Sequence, residues 1–133
     1  MAEPTPAQRT LFALFKLIGG ARLDLSSEVR AQDGVEQALT RAGMVFVREH
    51  RLGARDRPDF FVLAGYVGGE GEGIVVELKA HRISRRATLR QLERYAAYPE
   101  VQGLILAAST AFDLPKTIGG KPAAFVSLGR AWL

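Results

Sequence analysis

Three residues in the middle of the chain have the types and spacing for hydrolytic chemistry: Asp59, Glu77 and Lys79. Glu77 and Lys79 are two apart in the otherwise apolar run IVVELKA. In an extended strand, side chains two apart share a face, so both point the same way. Asp59 opens a second strand-like run. Between the two lies the glycine-rich stretch GYVGGEGEG, suited to a hairpin turn. Pairing about a turn centred near Gly68 sets Asp59 opposite Glu77, with Cβ atoms ~5 Å apart. Two facing carboxylates repel one another, and a divalent cation between them removes the penalty. Such a cation lowers the pKa of water and polarises a phosphoryl oxygen, and a neighbouring lysine offsets charge in the transition state.

The elements that must position these residues follow from hydrophobic periodicity and breakers. Pro6 opens a predicted helix over 6–18, apolar on more than one face, with Gly19-Gly20 as its stop. That helix is either deeply packed or part of a subunit contact. Ser27 precedes a second helix, 27–42, whose predicted buried stripe is Val29, Val35, Ala38, Leu39 and Ala42. Strands are predicted at 44–49, 59–64 and 73–79. A third helix runs from 84 to 98, ahead of Pro99, and strands at 103–109 and 123–128 close the order. A helix between two strands implies a crossover onto the same sheet. The expected class is α/β, a mixed sheet flanked by helices, in one domain over residues 1–133.

Composition narrows the chemistry. There are no cysteines, which excludes thiolate metal sites and disulfides, and His50 and His81 are the only histidines. A metal would therefore take oxygen ligands, which points to Mg²⁺ or Mn²⁺. No apolar run approaches the ~20 residues of a membrane span, and the N-terminus lacks a basic leader. A cytoplasmic location is expected. The net charge of +4 becomes more positive around the site once its own acids are set aside, so a polyanion is a natural partner.

R-P-D-F at 57–60, followed by E-L-K at 77–79 after a glycine-rich turn, resembles the PD-(D/E)xK nuclease superfamily over roughly residues 26–109. The resemblance implies a restriction-endonuclease-like α/β sandwich and metal-dependent hydrolysis of DNA. By motif match it places Asp59 and Glu77 on the metal and Lys79 in catalysis, with the Leu78 carbonyl completing the metal shell. Glu28, early in the second helix, matches the helical glutamate of many members, with Glu36 as an alternative; acids also favour the first turn of any helix. Glu49, ending the first predicted strand, is another carboxylate within reach. Gln91 and Tyr95, one helical turn apart in RQLERYAAY, resemble the QxxxY motif of exonuclease-like branches, where it supports the site and touches the DNA backbone.

Arginines surround these positions. Arg55 and Arg57 lead into Asp59, and Arg82, Arg85 and Arg86 sit at a helix start, where the dipole disfavours cations unless they meet phosphate. Arg94 reads as part of a solvated helix face, His81 as a surface residue, and Trp132 and the phenylalanines as packing. The expected function is a Mg²⁺-dependent DNA nuclease, in a narrower form a Holliday-junction resolvase. The alternatives are an end-processing exonuclease of recombination or repair and a catalytically silent DNA-binding protein. The first helix, residues 1–20, is the candidate dimer element.

Overall fold

The computed structural model of the chain describes residues 3–67 and 70–128. The centre of the proposed turn at Gly68 and the packing expected of Trp132 lie outside those residues. Among the described residues, six strands form a mixed sheet in the order β1-β2-β3-β4-β6-β5. They are β1 (Phe46–Arg48), β2 (Phe60–Val67), β3 (Glu70–Lys79), β4 (Val101–Ala108), β5 (Thr117–Ile118) and β6 (Lys121–Ser127). The helices among the described residues are α1 (Pro6–Gly20), α2 (Glu28–Arg41) and α3 (Arg85–Ala96).

The three layers follow from strand alternation. Phe60, Val62, Ile74, Val76 and Leu78 pack beneath Leu14 and Ile18 of α1 and Val35 and Leu39 of α2. Phe61 and Val75, of the opposite parity, pack beneath Leu92, Tyr95 and Ala96 of α3. Both faces are covered, so β4 is buried along nearly its whole length, as a strand between two layers must be. The predicted crossover is present: β3 and β4 pair in parallel, with α3 between them in the chain.

Each helix start carries a side-chain cap. Thr5 accepts from the Gln8 amide and Gln8 returns the bond, a capping box, while Ser27 and Ser84 accept from Arg30 and Ala87. Differences from the sequence expectation are local. α1 continues through Gly19-Gly20 to a cap at Ala21, because its packing on the sheet outweighs glycine's weak helix preference. The stretch read as a turn is mostly strand, since β2 reaches Val67 and β3 begins at Glu70. A side chain at Gly73 would collide with the Val62 carbonyl, so the pairing there needs glycine.

The stripe of α2 is rotated from the predicted one. Ala31, Gln32, Val35 and Leu39 are buried, whereas Val29 is 62% exposed and Ala42 lies at the surface. The rotation turns Gln32 inward, where it finds polar partners. Phe12 and Phe15 do not join the core: α1 buries Leu14 and Ile18 and leaves both phenylalanines exposed. No helix among the described residues is long and apolar enough to cross a membrane.

Candidate active site

The β2–β3 hairpin pairs in the predicted register from Phe60↔Val76 to Leu63↔Gly73, and slips by one residue at Ala64. Asp59 and Glu77 stand one step beyond the last paired residues. The ladder stops there for a covalent reason. The next position, set against Leu78, is Pro58, which has no N–H to donate. The Asp59 carboxylate takes over the vacated Leu78 N–H, and the Glu77 carboxylate bridges back across the fork. Asp59 Oδ2 accepts the Leu78 N–H at 2.7 Å, and Glu77 Oε1 accepts the Asp59 N–H at 3.2 Å. The Leu78 carbonyl lies on the same strand edge as its N–H and receives no β2 amide at this position.

Neighbouring elements complete the constellation. Lys79 Nζ lies 3.3 Å from Glu77 Oε2. From α3, the Tyr95 hydroxyl donates toward Glu77 Oε1 at 3.5 Å. From α2, Gln32 Nε2 donates to Asp59 Oδ1 at 2.7 Å. One turn earlier on that helix, Glu28 Oε1 faces the Ala80 N–H at 3.4 Å. The fork between β2 and β3 is therefore closed from above by α2 and from below by α3.

Electrostatics distinguish the pair from ordinary surface acids. Loss of solvent raises the pKa of Asp59 to about 6, aided by the charge of Glu28 and opposed by the Leu78 N–H. Loss of solvent raises Glu77 to about 7, aided by Asp59 and opposed by Lys79. Burial and the charge of Glu77 also push the Tyr95 phenol upward, so it remains a donor at neutral pH.

The donor set bears on whether a divalent cation fits. Among the described residues, no group of three carboxylate or imidazole side chains could hold a metal by itself. Two facing carboxylates, a backbone carbonyl without a strand donor and an adjacent cleft make up the available set. All are oxygen donors, and Mg²⁺ is commonly held by one or two carboxylates while it keeps several waters. The chemistry of this donor set fits a cation: Asp59 and Glu77 are both withdrawn from solvent, and a divalent ion between them would offset the charge of each. Of the further carboxylates, Glu28 alone lines the adjoining cleft. Glu36 is bound to Arg48 at 3.0 Å, and Glu49 is exposed at the end of β1 in a left-handed conformation (φ 54°).

The cleft, about 560 Å³, opens beside Lys79 and is lined by Glu28, His81, Arg82, Arg90, Gln91 and Arg94 among others. The two residues of the expected pair part company: Gln91 faces the cleft and the Tyr95 hydroxyl faces Glu77. Arg82 is at the cleft and Arg86 is on the outer side of α3, beside Arg90. Arg85 turns elsewhere. Its Nη2 donates to the Asp113 carbonyl at 3.0 Å, and the guanidinium lies 5.2 Å from the Phe112 ring centre. Arg55 and Arg57 are exposed in the loop before β2, outside the cleft lining.

Several site residues were not legible as such in the sequence. Gln32 is one, and its signal was a polar residue one turn after Glu28, on the same face of α2. Asp56 is another. Buried, it accepts from Tyr98 Oη at 2.8 Å and from Arg94 Nε at 3.0 Å, which ties the arginine-rich loop to α3. Arg94 is therefore an ion-pair partner at the cleft, not a member of a merely solvated face. A scan against protein-family models and searches of curated proteins and of solved structures return no match to this chain.

Proposed function

We propose that the chain is a metal-dependent nuclease of the restriction-endonuclease-like type that hydrolyses phosphodiester bonds in DNA. The observation that carries the reading is the pair of half-buried and buried carboxylates, Asp59 and Glu77, facing at the end of a hairpin with Lys79 on Glu77. The order R-P-D-F and E-L-K along the chain supports it, as does the arginine content of the adjoining cleft.

Asp59, Glu77, the Leu78 carbonyl and water would hold Mg²⁺ or Mn²⁺, which supplies Lewis acidity at the phosphoryl oxygen and a water of lowered pKa. The chain's own groups do the rest. Lys79 presents a cation beside Glu77, able to orient a water and to offset charge growing on the phosphate oxygens. Tyr95 holds Glu77 from the α3 side. Arg82 and Arg90 offer the cleft positive charge toward the backbone of a polynucleotide, which provides affinity independent of sequence.

The direct test is cleavage of a four-way junction, a linear duplex and a single strand with Mg²⁺ or Mn²⁺. Cleavage that disappears in Asp59→Ala and in Lys79→Ala, both still folded, is the expected result. Full activity in either purified variant overturns the reading. Faster cutting of the junction selects the resolvase form, whereas equal rates on all three substrates remove it. The Tyr95–Glu77 contact favours the end-processing form as a second reading, in which labelled termini are released first. DNA binding without cleavage in either metal would leave a binding protein. The exposed Phe12 and Phe15 on α1 support a homodimer, which light scattering of the purified chain would test.

A further inference from the structure

Gln32 is a buried amide whose two ends are both spoken for. Its Nε2 donates to Asp59 Oδ1 at 2.7 Å, and its Oε1 accepts from Arg48 Nη2 at 3.0 Å. The arrangement has a fixed polarity. A guanidinium can only donate, so the oxygen of the amide must face Arg48 and the NH₂ must face Asp59. Arg48 is itself immobilised, since its Nη1 meets Asp33 Oδ1 at 2.7 Å and Glu36 Oε2 at 3.0 Å. Three elements are thus linked in one line, β1 through Arg48, α2 through Gln32 and the start of β2 through Asp59.

The effect on Asp59 is specific. With Gln32 on Oδ1 and Leu78 N–H on Oδ2, the carboxylate is pinned at both oxygens and cannot rotate about its Cβ–Cγ bond without losing a short hydrogen bond. Each oxygen keeps one lone pair free for a cation. We propose that Arg48 and Gln32 are positioning residues for Asp59: Arg48 fixes the polarity of the Gln32 amide, and the amide fixes the orientation in which Asp59 presents its oxygens to a divalent cation. The cation-binding half of this inference rests on the nuclease reading, and the orientation half does not.

A purely structural role predicts something else. If Arg48 served only to staple β1 to α2, its acidic partners Asp33 and Glu36 would matter as much as Gln32. Two measurements on the full chain separate these cases. The first, without metal, is hydrogen exchange at the Leu78 amide, which reports whether Asp59 stays on it. The second is titration with Mn²⁺, followed by calorimetry and by the loss of the free-ion resonance signal.

In Gln32→Leu and Arg48→Met, with global stability corrected for by thermal melts, Leu78 exchange should accelerate by about tenfold. Mn²⁺ affinity should fall by roughly ten- to a hundredfold, the range for losing a group that orients a metal ligand. The Asp33→Asn/Glu36→Gln pair, which weakens the staple but spares the amide contact, should change both by less than about twofold. Unchanged Leu78 exchange in a folded Gln32→Leu protein overturns the proposal. So does an equal loss in the Asp33→Asn/Glu36→Gln pair. Accelerated Leu78 exchange in a chain whose parent binds no Mn²⁺ upholds the orientation role and removes the metal reading instead.

Discussion

Asp59 and Glu77 stand in reciprocal exchange across the fork of a hairpin: the Asp59 carboxylate accepts from Leu78, next to Glu77, and the Glu77 carboxylate accepts from the Asp59 amide. Asp59 therefore also stands in for the ladder bond that the Leu78 N–H would have made to β2. Two carboxylate oxygens, Asp59 Oδ2 and Glu77 Oε1, thus tie the two strands together where the backbone pairing has ended.

The first consequence concerns pH. Both acids titrate above their unfolded values of about 4, so the native state holds protons that the unfolded state has released. Their contribution to stability is greatest at low pH and is lost as pH rises from about 4 through 7. In EDTA, the contribution of this pair should lower the melting temperature at pH 8 relative to pH 5, by on the order of 5 °C. Glu77→Gln should flatten that slope. Added Mg²⁺ should restore the loss at pH 8, because a ligand of the ionised native state adds stability by mass action. Melting curves at fixed ionic strength check all three, and an identical slope in Glu77→Gln contradicts the assignment.

A second prediction follows from the polarity of Gln32. In Asp59→Asn the new amide has one acceptor where the native carboxylate has two. Its NH₂ must oppose either the Leu78 N–H or the Gln32 NH₂, and Gln32 cannot turn because Arg48 holds its oxygen. Adding Gln32→Glu restores a complete set, in which the introduced carboxylate accepts from both Arg48 and the introduced amide. The double variant should be more stable than the Asp59→Asn single variant by about 1–3 kcal/mol. Denaturant unfolding of the four corners of the cycle measures it, and simple additivity would contradict the hydrogen-bond directions given above.

A third prediction separates the two faces of Tyr95. Its ring is buried under α3 among Phe61, Val75 and Leu106, while its hydroxyl points at Glu77. Tyr95→Ala should cost about 3–5 kcal/mol through the cavity it leaves. Tyr95→Phe should cost about 1 kcal/mol or less in stability. It should still slow cleavage, because Glu77 loses its donor from below. Equal rates in wild type and Tyr95→Phe would confine the residue to packing.

The arginines sort into different expectations. Arg82 and Arg90 line the cleft, whereas Arg85 is engaged with Asp113 and Phe112. Arg82→Ala and Arg90→Ala should each weaken DNA binding and lower the slope of log K against log salt by about 1. Arg85→Ala should leave that slope nearly unchanged. Fluorescence anisotropy at several salt concentrations, in EDTA, makes the comparison.

These contrasts mark what was legible in the sequence. The hairpin register, the capped helices and the parallel crossover were all readable, because periodicity and breakers are local signals. The facing of Asp59 and Glu77 followed from the register alone. The inward turn of α2 was not readable: Val29 and Gln32 exchange their expected places because the sheet beneath them decides which stripe is buried. Asp56 was hidden by its neighbours, since a lone acid among Arg51, Arg55 and Arg57 looks like charge balance until Tyr98 and Arg94 are seen to converge on it. Arg85 and Arg94 escape sorting by sequence for the same reason, because long side chains find partners far away in the chain.

The directional wiring of Gln32 bears on heredity as well as on chemistry. A descendant chain could not exchange Asp59 for Asn, the mildest replacement, without setting two donors against each other in the interior. Exchanging Asp59 for Asn at little cost to the fold requires position 32 to change with it, so folding alone favours an acid at position 59 over its closest neutral isostere.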